Sequence, residues 1–340
     1  MQKLTIAVDA MGGDFGPSAT VPAIKQALAF HPHLNILLFG EHHALNPELI
    51  KHQIAKHPRL EFIHCADSVR SDDRPITALR ARKDSSMRQA LEVVKQGRAQ
   101  ACVSAGNTGA LMALAKSVLK LLPGIERPAL VTGLPLEGGG ETLLLDLGAN
   151  SSCDSEILSQ FAMMGAALAE ACGKVQNPRV ALLNIGEEQI KGNDVVRQTA
   201  QLLESSSGLN YVGFVEGNQL FANKADVIVC DGFVGNVALK TAEGVAQLLL
   251  SRVSQSTGSW WQRLLLKVFA PQLAGWLSNL NPDQYNGASL LGLRGIVVKS
   301  HGHADHQAFF QAINQSVIEV QQQVPQKIID KIEALLTDKN

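Results

Sequence analysis

The run from Ser104 to Ala110 combines small and hydroxyl-bearing residues in a pattern that suits anion binding. It follows an apolar run at 101–103 and leads into a segment with helical periodicity. The first N–H groups of a helix have no intrahelical partner, and together with the helix dipole they attract anions. An ordinary helix N-cap is the alternative, because Asn and Thr are common cap residues. The four candidate anion ligands are Ser104, Gly106, Asn107 and Thr108.

Two further residues, Lys191 and Asn236, have the chemistry to stabilise a negative charge that develops during a reaction. Lys191 lies in a glycine-containing loop after an apolar run, where its ammonium can act electrostatically. Most exposed loop lysines are inert, so a purely structural interpretation stays open. Asn236 belongs to the loop that begins at Asp231, and its amide can either cap a helix or polarise a carbonyl.

The first loop of the chain carries Asp9, Gly12 and Gly13 directly after an apolar run at 4–8. Glycine lets a backbone approach a ligand closely, and it also suits a tight turn, so both interpretations stand. Aspartates on either side of the glycines could orient a cationic partner residue. We assign Asp9, Gly12, Gly13 and Asp231 to substrate binding as an expectation.

The densest cationic segment of the chain lies between residues 80 and 88. Its cations are Arg80, Arg82, Lys83 and Arg88. On a protein of near-neutral charge such a cluster predicts a phosphate ligand or an acidic partner surface. A solvated helix start, capped by Asp84 or Ser85, explains the same residues equally well.

The segment from His301 to His306 has three histidines and an aspartate, which at first sight resembles a metal site. Its spacing matches no strong metal motif and also suits the start of a helix, so we predict no metal. His303 remains a candidate for general-base chemistry or anion binding. The chain has no Gly-x-Ser-x-Gly elbow and no convincing setting for an activated cysteine, so a covalent acyl-enzyme is not indicated.

Short apolar, β-branched runs recur along the chain, each followed by a glycine-rich loop and a segment of helical period. Continuous apolar runs that alternate with helices indicate parallel βαβ units buried on both faces. The fold class is therefore α/β, with helices covering a mostly parallel sheet. Because ligands bind outside the carboxyl ends of such strands, we expect all these loops at one edge of the sheet. No Gly-x-Gly-x-x-Gly with a suitably spaced acidic residue is present, which disfavours a standard dinucleotide site.

Composition sets the broad class of the protein. The 340 residues contain 30 Lys+Arg and 31 Asp+Glu, and this balance argues against a general nucleic-acid binder. A hydrophobic fraction of 46% supports a sizeable core. Because no low-complexity linker divides the chain, we predict one domain over residues 1–340, which could consist of two lobes. Five scattered cysteines fit a reducing cytosol. No signal sequence or membrane span is apparent, and a soluble protein is expected.

All three tryptophans lie in one stretch, residues 258–281. At helical spacing its apolar side chains share one face beside Arg263 and Lys267, a pattern typical of a helix that lies on an anionic membrane. A dimer interface or a core hairpin explains the same pattern equally well. The candidate membrane-contacting residues are Trp260, Trp261, Leu265, Phe269 and Trp276.

Together these motifs resemble the phosphate acyltransferase (PlsX) family of bacterial phospholipid synthesis. The resemblance is collinear over most of the chain, which makes it far more specific than any single loop. The stretches that carry it are Val8–Asp14, Ser104–Ala110, Glu126–Ala129, Leu145–Asn150, Asn184–Glu188, Cys230–Asn236, Tyr285–Ala288 and Gly302–Asp305.

The resemblance implies a three-layer αβα fold, like that of isocitrate and isopropylmalate dehydrogenases and phosphotransacetylases, in a homodimer. It implies reversible transfer of a long-chain acyl group from acyl carrier protein to inorganic phosphate, without a cofactor. The acyl phosphate would pass to a membrane glycerol-3-phosphate acyltransferase, so a cytoplasmic protein with peripheral membrane association is expected. Lys191 and Asn236 match family positions tied to catalysis, and His303 is a weaker candidate for orienting phosphate. The cations between 80 and 88 are expected to dock the acidic carrier protein or its phosphopantetheine.

Two other functions stay open at this point. A nicotinamide-dependent decarboxylating dehydrogenase is suggested by the implied fold, and the missing ribose-binding fingerprint weighs against it. A membrane-attached docking protein for acyl carrier protein would explain the basic and tryptophan segments, but it would leave the anion-binding loop without a purpose.

Overall fold

The computed structural model describes residues 4–173, 175–255 and 286–337. Its strands form a single sheet in the order β3-β2-β1-β4-β11-β10-β5-β6-β9-β7-β8. The strands are β1 (Leu4–Asp9), β2 (Leu34–Gly40), β3 (Leu60–His64), β4 (Ala101–Ser104), β5 (Ala129–Pro135), β6 (Glu141–Leu145), β7 (Arg179–Asn184), β8 (Asn210–Glu216), β9 (Val227–Val229), β10 (Ala288–Leu291) and β11 (Ile296–Lys299).

Helices cover both faces of this sheet. They are α1 (Pro17–Phe30), α2 (His42–Lys51), α3 (Pro75–Ala81), α4 (Ser86–Lys95), α5 (Thr108–Leu119), α6 (Ser155–Cys172), α7 (Asp194–Glu204), α8 (Gly232–Gln255), α9 (His306–Gln321) and α10 (Val324–Thr337). None of the helices in the described residues combines the length and apolar character needed to cross a membrane.

The hydrophobic core has three parts. On one face, α4, α5 and α8 pack over both halves of the sheet around Leu91, Leu114 and Ile228. On the other face, α1 and α9 bury Phe309, while α6 and α10 bury Phe161 in a separate cluster. Full burial of a side chain of this size stabilises the fold by about 1.5–3 kcal/mol. The predicted α/β class, with three layers and a mostly parallel sheet, is confirmed.

The two halves of the sheet run in opposite directions. Strands β1 to β5 and β11 point one way, and β6 to β10 point the other. The reversal follows from the β5–β6 hairpin, whose turn places Gly139 and Gly140 at φ of 85° and 84°, backbone that glycine adopts without strain. The expectation that all polar loops lie at one edge is therefore wrong. The loops after β1, β4 and β11 lie at one edge, and those after β6, β7 and β9 lie at the other.

Short central strands bring these two edges close together. β10 and β11 have four residues each, which spans about 13 Å. Along β10, Ala288 pairs with Lys299 of β11 at one end, and Leu291 pairs with Ala129 of β5 at the other. Loops from opposite edges can therefore face each other across the middle of the sheet.

Candidate active site

Asp9 ties together the ends of β1 and β4. One carboxylate oxygen accepts hydrogen bonds from Ser86 Oγ at 2.6 Å and Met11 N at 3.2 Å, and the other accepts from Ser104 Oγ at 2.7 Å. The side chain is 1% exposed, and burial raises the pKa of its carboxyl while these hydrogen bonds oppose the rise. Asp9 therefore fixes the ends of β1 and β4 and the start of α4 relative to one another.

Glycines in the loop after β1 allow it to touch the loop after β4. A Cβ atom on Gly12 would lie 2.3 Å from the backbone N of Gly106, so only glycine fits there. The next residue, Gly13, has a φ of 84°, and Asp14 N donates a 2.7 Å hydrogen bond to the carbonyl of Gly302. The loops after β1, β4 and β11 therefore converge at one place.

The loop in which the sequence predicts anion binding, residues 104–110, leads into the start of α5 and is called the anion-binding loop below. Asn107 caps the helix, since its Oδ1 accepts from Ala110 N at 2.9 Å, and Gly106 N donates to Ser104 Oγ at 3.0 Å. The N-cap interpretation is therefore observed, but the cap does not use every backbone N–H group at the start of α5. Within the described residues, no hydrogen bond uses the N–H of Asn107, Thr108 or Gly109. Three consecutive free N–H groups at a helix start can bind an anion.

A second loop, residues 146–150, lies at the opposite edge and is organised around a buried carboxylate. Asp146 accepts from Leu130 N at 2.9 Å, Ala149 N at 3.0 Å and Asn150 N at 2.7 Å. Burial raises the pKa of this carboxyl, and the three backbone donors counteract the rise. The loop offers its backbone to the start of α8, because Gly232 N donates to the Asn150 carbonyl at 2.7 Å.

Asn236 lies on the first turns of α8, exposed to solvent. Its Nδ2 donates a 3.1 Å hydrogen bond to the Leu147 carbonyl, which fixes the amide beside the 146–150 loop. Asp231 is the cap of this helix start, since its Oδ1 accepts from Val234 N at 2.9 Å. The second N–H of the Asn236 amide remains available to a carbonyl oxygen of a substrate.

Lys191 is exposed in the loop after β7. Its backbone is pinned, because Lys191 N donates to the Glu188 carbonyl at 3.0 Å and its own carbonyl accepts from Asn184 Nδ2 at 3.3 Å. β7 and β9 are adjacent parallel strands, so the loops that carry Lys191 and Asn236 leave the sheet side by side. The ammonium thus has no ion-pair partner in the described part of the chain and is carried on a fixed loop.

A small cavity has residues from both edges of the sheet in its lining. It is lined by the start of α5, by the 146–150 loop and by the central strands; the lining residues are Thr108, Leu111, Met112, Leu130, Ala149, Leu290 and Lys299. Lys299 is buried at the end of β11 and did not figure among the residues expected from the sequence. The only signal for it is a charged residue that directly follows the apolar run Ile296-Val297-Val298.

α8 reaches from Asn236 to the histidines after β11. His301 Nε2 lies 3.7 Å from Oε1 of Glu243, and the rings of His301 and His303 stack with centroids 5.8 Å apart. Burial lowers the pKa of His301 to about 4, so this imidazole is neutral near pH 7. Asp305 caps α9, as its spacing suggested, and no group of three or more metal-ligating side chains occurs in the described part of the chain.

The basic segment is only partly available for a partner. Arg82 donates to Asp67 at 3.0 Å and to Asp73 at 2.9 Å, and these hydrogen bonds raise the pKa of its guanidinium. Arg88 lies 3.7 Å from Glu92 on the helix that Ser85 caps. The exposed cations of the segment are Arg80 and Lys83.

The cysteines are not activated as nucleophiles. All five are free thiols. Burial raises the pKa of Cys65 to about 11 and those of Cys153 and Cys172 to about 12. The tryptophan segment, with Trp260, Trp261, Leu265, Phe269 and Trp276, lies outside the described residues.

Residues 4–327 match the model of the protein family described as "Fatty acid synthesis protein". Proteins named "Phosphate acyltransferase" from Shewanella halifaxensis (strain HAW-EB4) and Shewanella woodyi (strain ATCC 51908 / MS32) are each 54% identical over 341 residues, covering 100% of both chains. Among solved structures, EutD phosphotransacetylase from Staphylococcus aureus has a TM-score of 0.59 at 17% identity, covering 95% of this chain and 94% of its own. A phosphotransacetylase from Streptococcus pyogenes has a TM-score of 0.60 at 16% identity, with the same coverage.

Proposed function

The chain belongs to the fatty acid synthesis protein family and is an acyltransferase, and from that premise we propose that it transfers a long-chain acyl group from acyl carrier protein to inorganic phosphate. Phosphate as the acyl acceptor is the better supported part of this proposal, because relatives that match over their full length are named phosphate acyltransferases. The observation that carries the proposal in this chain is the start of α5, where the N–H groups of residues 107–109 have no partner among the described residues. Such a helix start binds a dianion through donors that need no reorganisation.

The proposed reaction is a direct displacement at the thioester. A phosphate oxygen attacks the carbonyl carbon and forms the new C–O bond, while the carbonyl oxygen becomes an oxyanion. The C–S bond then breaks as the C=O bond re-forms, and the thiolate of the carrier takes up the proton that phosphate or water releases. No cysteine is needed as a covalent relay, in keeping with the raised thiol pKa values.

Lys191 and Asn236 are the proposed stabilisers of the oxyanion. They lie on neighbouring loops at the edge of the sheet opposite the anion-binding loop, and the short central strands and α8 bridge the two. Phosphate would sit at the start of α5 and the thioester carbonyl would face Lys191 and Asn236. His303, beside His301 at the end of β11, is a secondary candidate for orienting phosphate.

The donor is proposed to dock on the exposed cations Arg80 and Lys83. Asn107 Nδ2 donates a 2.7 Å hydrogen bond to the Ser71 carbonyl, so the segment that leads to α3 lies directly against the anion-binding loop. An acidic carrier held there would deliver its thioester to the same cleft. Complementary charge of this kind raises the rate of association more than it deepens the affinity.

Two further parts of the proposal concern assembly and location. We propose a homodimer that associates with an anionic membrane surface through residues 258–281 and supplies acyl phosphate to a membrane glycerol-3-phosphate acyltransferase in phosphatidic acid synthesis. The tryptophan-rich composition of that stretch supports membrane contact. Sedimentation with anionic vesicles should fall when Trp261 and Phe269 are both replaced by Glu, and undiminished binding would assign the stretch to an interface or core.

A comparison of donors tests the proposal. With phosphate present, the chain should release free thiol from palmitoyl-acyl carrier protein with a higher kcat/KM than from palmitoyl-coenzyme A. Equal or better use of the coenzyme A thioester would overturn the choice of donor and leave acyl transfer to phosphate intact. Thiol release that ignores phosphate would overturn the choice of acceptor.

A further inference from the structure

Lys299 places a buried ammonium group beside the anion-binding loop. The residue is 8% exposed and ends β11, whose neighbour β4 pairs Ser104 with it in the parallel register. Ser104 is the first residue of the anion-binding loop and also holds Asp9. The sheet itself therefore fixes Lys299 against that loop.

The partners of the ammonium are carbonyl groups. Lys299 Nζ donates to the Ala105 carbonyl at 3.3 Å and to the Ser300 carbonyl. A lysine ammonium has three N–H donors, so one remains after these two bonds. Among the described residues no carboxylate lies within 4.0 Å of Nζ, and Asp9 and Asp14 attract it only from longer range. A buried charge without an ion pair is costly, and an anionic ligand would offset that cost.

Lys299 lies against the loop that leads into α5, because its Nζ contacts the carbonyl of Ala105. The N–H groups of Asn107, Thr108 and Gly109, which follow Ala105 along the chain, have no partner in the described residues. A side-chain ammonium and a helix N-terminus, two sources of positive potential, thus lie at the same loop.

We propose that Lys299 is a phosphate-binding residue, and that inorganic phosphate binds between its ammonium and the free N–H groups of residues 107–109. This inference rests on the proposed function, since it identifies how the acceptor substrate is held. Phosphate has enough oxygens to accept from both sides at once. The carrier's phosphodiester has the same chemistry, and the experiment separates the two sources.

Replacement of Lys299 by Met tests the assignment. The KM for inorganic phosphate should rise roughly ten- to one-hundredfold, the range for loss of one charged hydrogen-bond donor, while the KM for palmitoyl-acyl carrier protein stays unchanged. Lys116→Met is the matched control, because it removes an exposed lysine farther along α5. An unchanged KM for phosphate would overturn the inference. A rise confined to the KM of the carrier would overturn it as well, in favour of the phosphodiester.

A measurement on the unmodified chain covers the case in which Lys299→Met fails to fold. Burial and the charge of Lys240 lower the pKa of Lys299 to about 8, against the attraction of Asp9 and Asp14. Among the described residues, Glu243 lies beside the neutral His301 and forms an ion pair with Lys240, so it belongs to the same group of charges. Calorimetric affinity for inorganic phosphate should therefore fall as pH rises from 7.5 to 9.5, by roughly tenfold. A flat profile would overturn the inference, whereas a chain that binds phosphate normally but forms no acyl phosphate would refute the proposed function alone.

Discussion

Ser104 Oγ donates a 2.7 Å hydrogen bond to Oδ2 of Asp9, across the neighbouring ends of β4 and β1. The same oxygen of Ser104 accepts from Gly106 N at 3.0 Å. The buried Ser104 hydroxyl thus connects the Asp9 carboxylate to the backbone of the anion-binding loop. The loop geometry depends on this bond because the glycines around it cannot hold a conformation through side-chain packing.

Replacement of Ser104 by Ala should destabilise the chain by about 1–3 kcal/mol. The change leaves Asp9 Oδ2 and Gly106 N buried without partners, and each unsatisfied group carries a desolvation cost of that order. Urea denaturation followed by circular dichroism measures the difference. Ser18→Ala, at an exposed serine, is the control and should change the free energy of unfolding by less than about 0.5 kcal/mol. Equal effects of the two substitutions would contradict the role given to Ser104.

Replacement of Lys191 by Ala should lower kcat for acyl phosphate formation by about 10²–10³ with the fold intact. The side chain is exposed, so its loss removes no core packing, and the expected loss of rate is that of one oxyanion stabiliser. Steady-state kinetics and a thermal melt separate the two effects. Lys224→Ala, at an exposed lysine in the loop before β9, is the control and should retain full activity. Retained turnover in Lys191→Ala would remove this residue from the mechanism.

Replacement of Asn236 by Asp should also lower kcat by about 10²–10³. The carboxylate cannot donate to an oxyanion, and its charge repels one. An acidic residue near the start of α8 does not disfavour the helix, but the variant loses the hydrogen bond to the Leu147 carbonyl. A thermal melt should therefore show a loss of stability of about 1 kcal/mol with the fold retained. Gln247→Glu makes the same amide-to-carboxylate change farther along α8 and should leave kcat unaltered. If both variants kept full kcat, the amide of Asn236 would not act on the reacting carbonyl.

Reversal of charge at Arg80 and Lys83 should raise the KM for palmitoyl-acyl carrier protein by roughly tenfold at low salt. Both cations are exposed, so they contribute to association with an acidic partner and not to the core. The effect should shrink as ionic strength rises, because salt screens exposed charges. The double replacement of Lys25 and Lys56 by Glu, at exposed lysines in α1 and before β3, is the control. A KM that is insensitive to the Arg80 and Lys83 reversal would place the carrier elsewhere.

Replacement of Glu319 by Gln should stabilise the chain at pH 8 by about 3 kcal/mol and have little effect below pH 4.5. Glu319 is 2% exposed, and burial raises its pKa to about 7 from an ordinary value of 4.5. The folded chain therefore binds the proton more tightly than the unfolded chain, and stability falls as pH rises from 4.5 to 7. A glutamine oxygen can still accept from Ser289 and Gln315, which both donate to Oε1.

Urea denaturation at pH 4.5 and pH 8 measures that difference. Glu204→Gln, at an exposed glutamate, should give the same free energy of unfolding as the parent chain at both pH values. A gain for Glu319→Gln that is equal at the two pH values would show that the carboxyl does not titrate on unfolding as expected.

Local patterns were enough to predict where strands end in polar, glycine-containing loops. Val8 and Val103 belong to apolar runs that end in polar, glycine-containing loops, and buried parallel strands give that signature wherever they occur. That the loops of Lys191 and Asn236 leave the sheet side by side is seen only in the pairing of β7 with β9. What local patterns could not give is the direction of each strand. The hairpin of β5 and β6 reverses half of the sheet, and the pairing that fixes this is made between residues far apart in sequence.

Lys299 and Arg82 show why the site residues were only partly predictable. A lysine at the end of an apolar strand normally reaches solvent, and its burial here depends on α5 and β10 packing around it. Arg82 belongs to a basic run that suggests an open surface, yet Asp67 and Asp73 bind it internally. In both cases the charge of the residue is visible in the sequence and its partners are not.

The most direct test of the account is the fate of the phosphate oxygens. The chain is incubated with palmitoyl-acyl carrier protein and fully ¹⁸O-labelled inorganic phosphate, and the products are identified by mass spectrometry. Direct attack by phosphate predicts palmitoyl phosphate that carries all of the label, with free carrier protein and no product when phosphate is omitted. Unlabelled palmitate would contradict acyl transfer to phosphate, because water would then be the acyl acceptor. No product from a folded chain that binds the carrier would contradict it as well and would favour a docking protein.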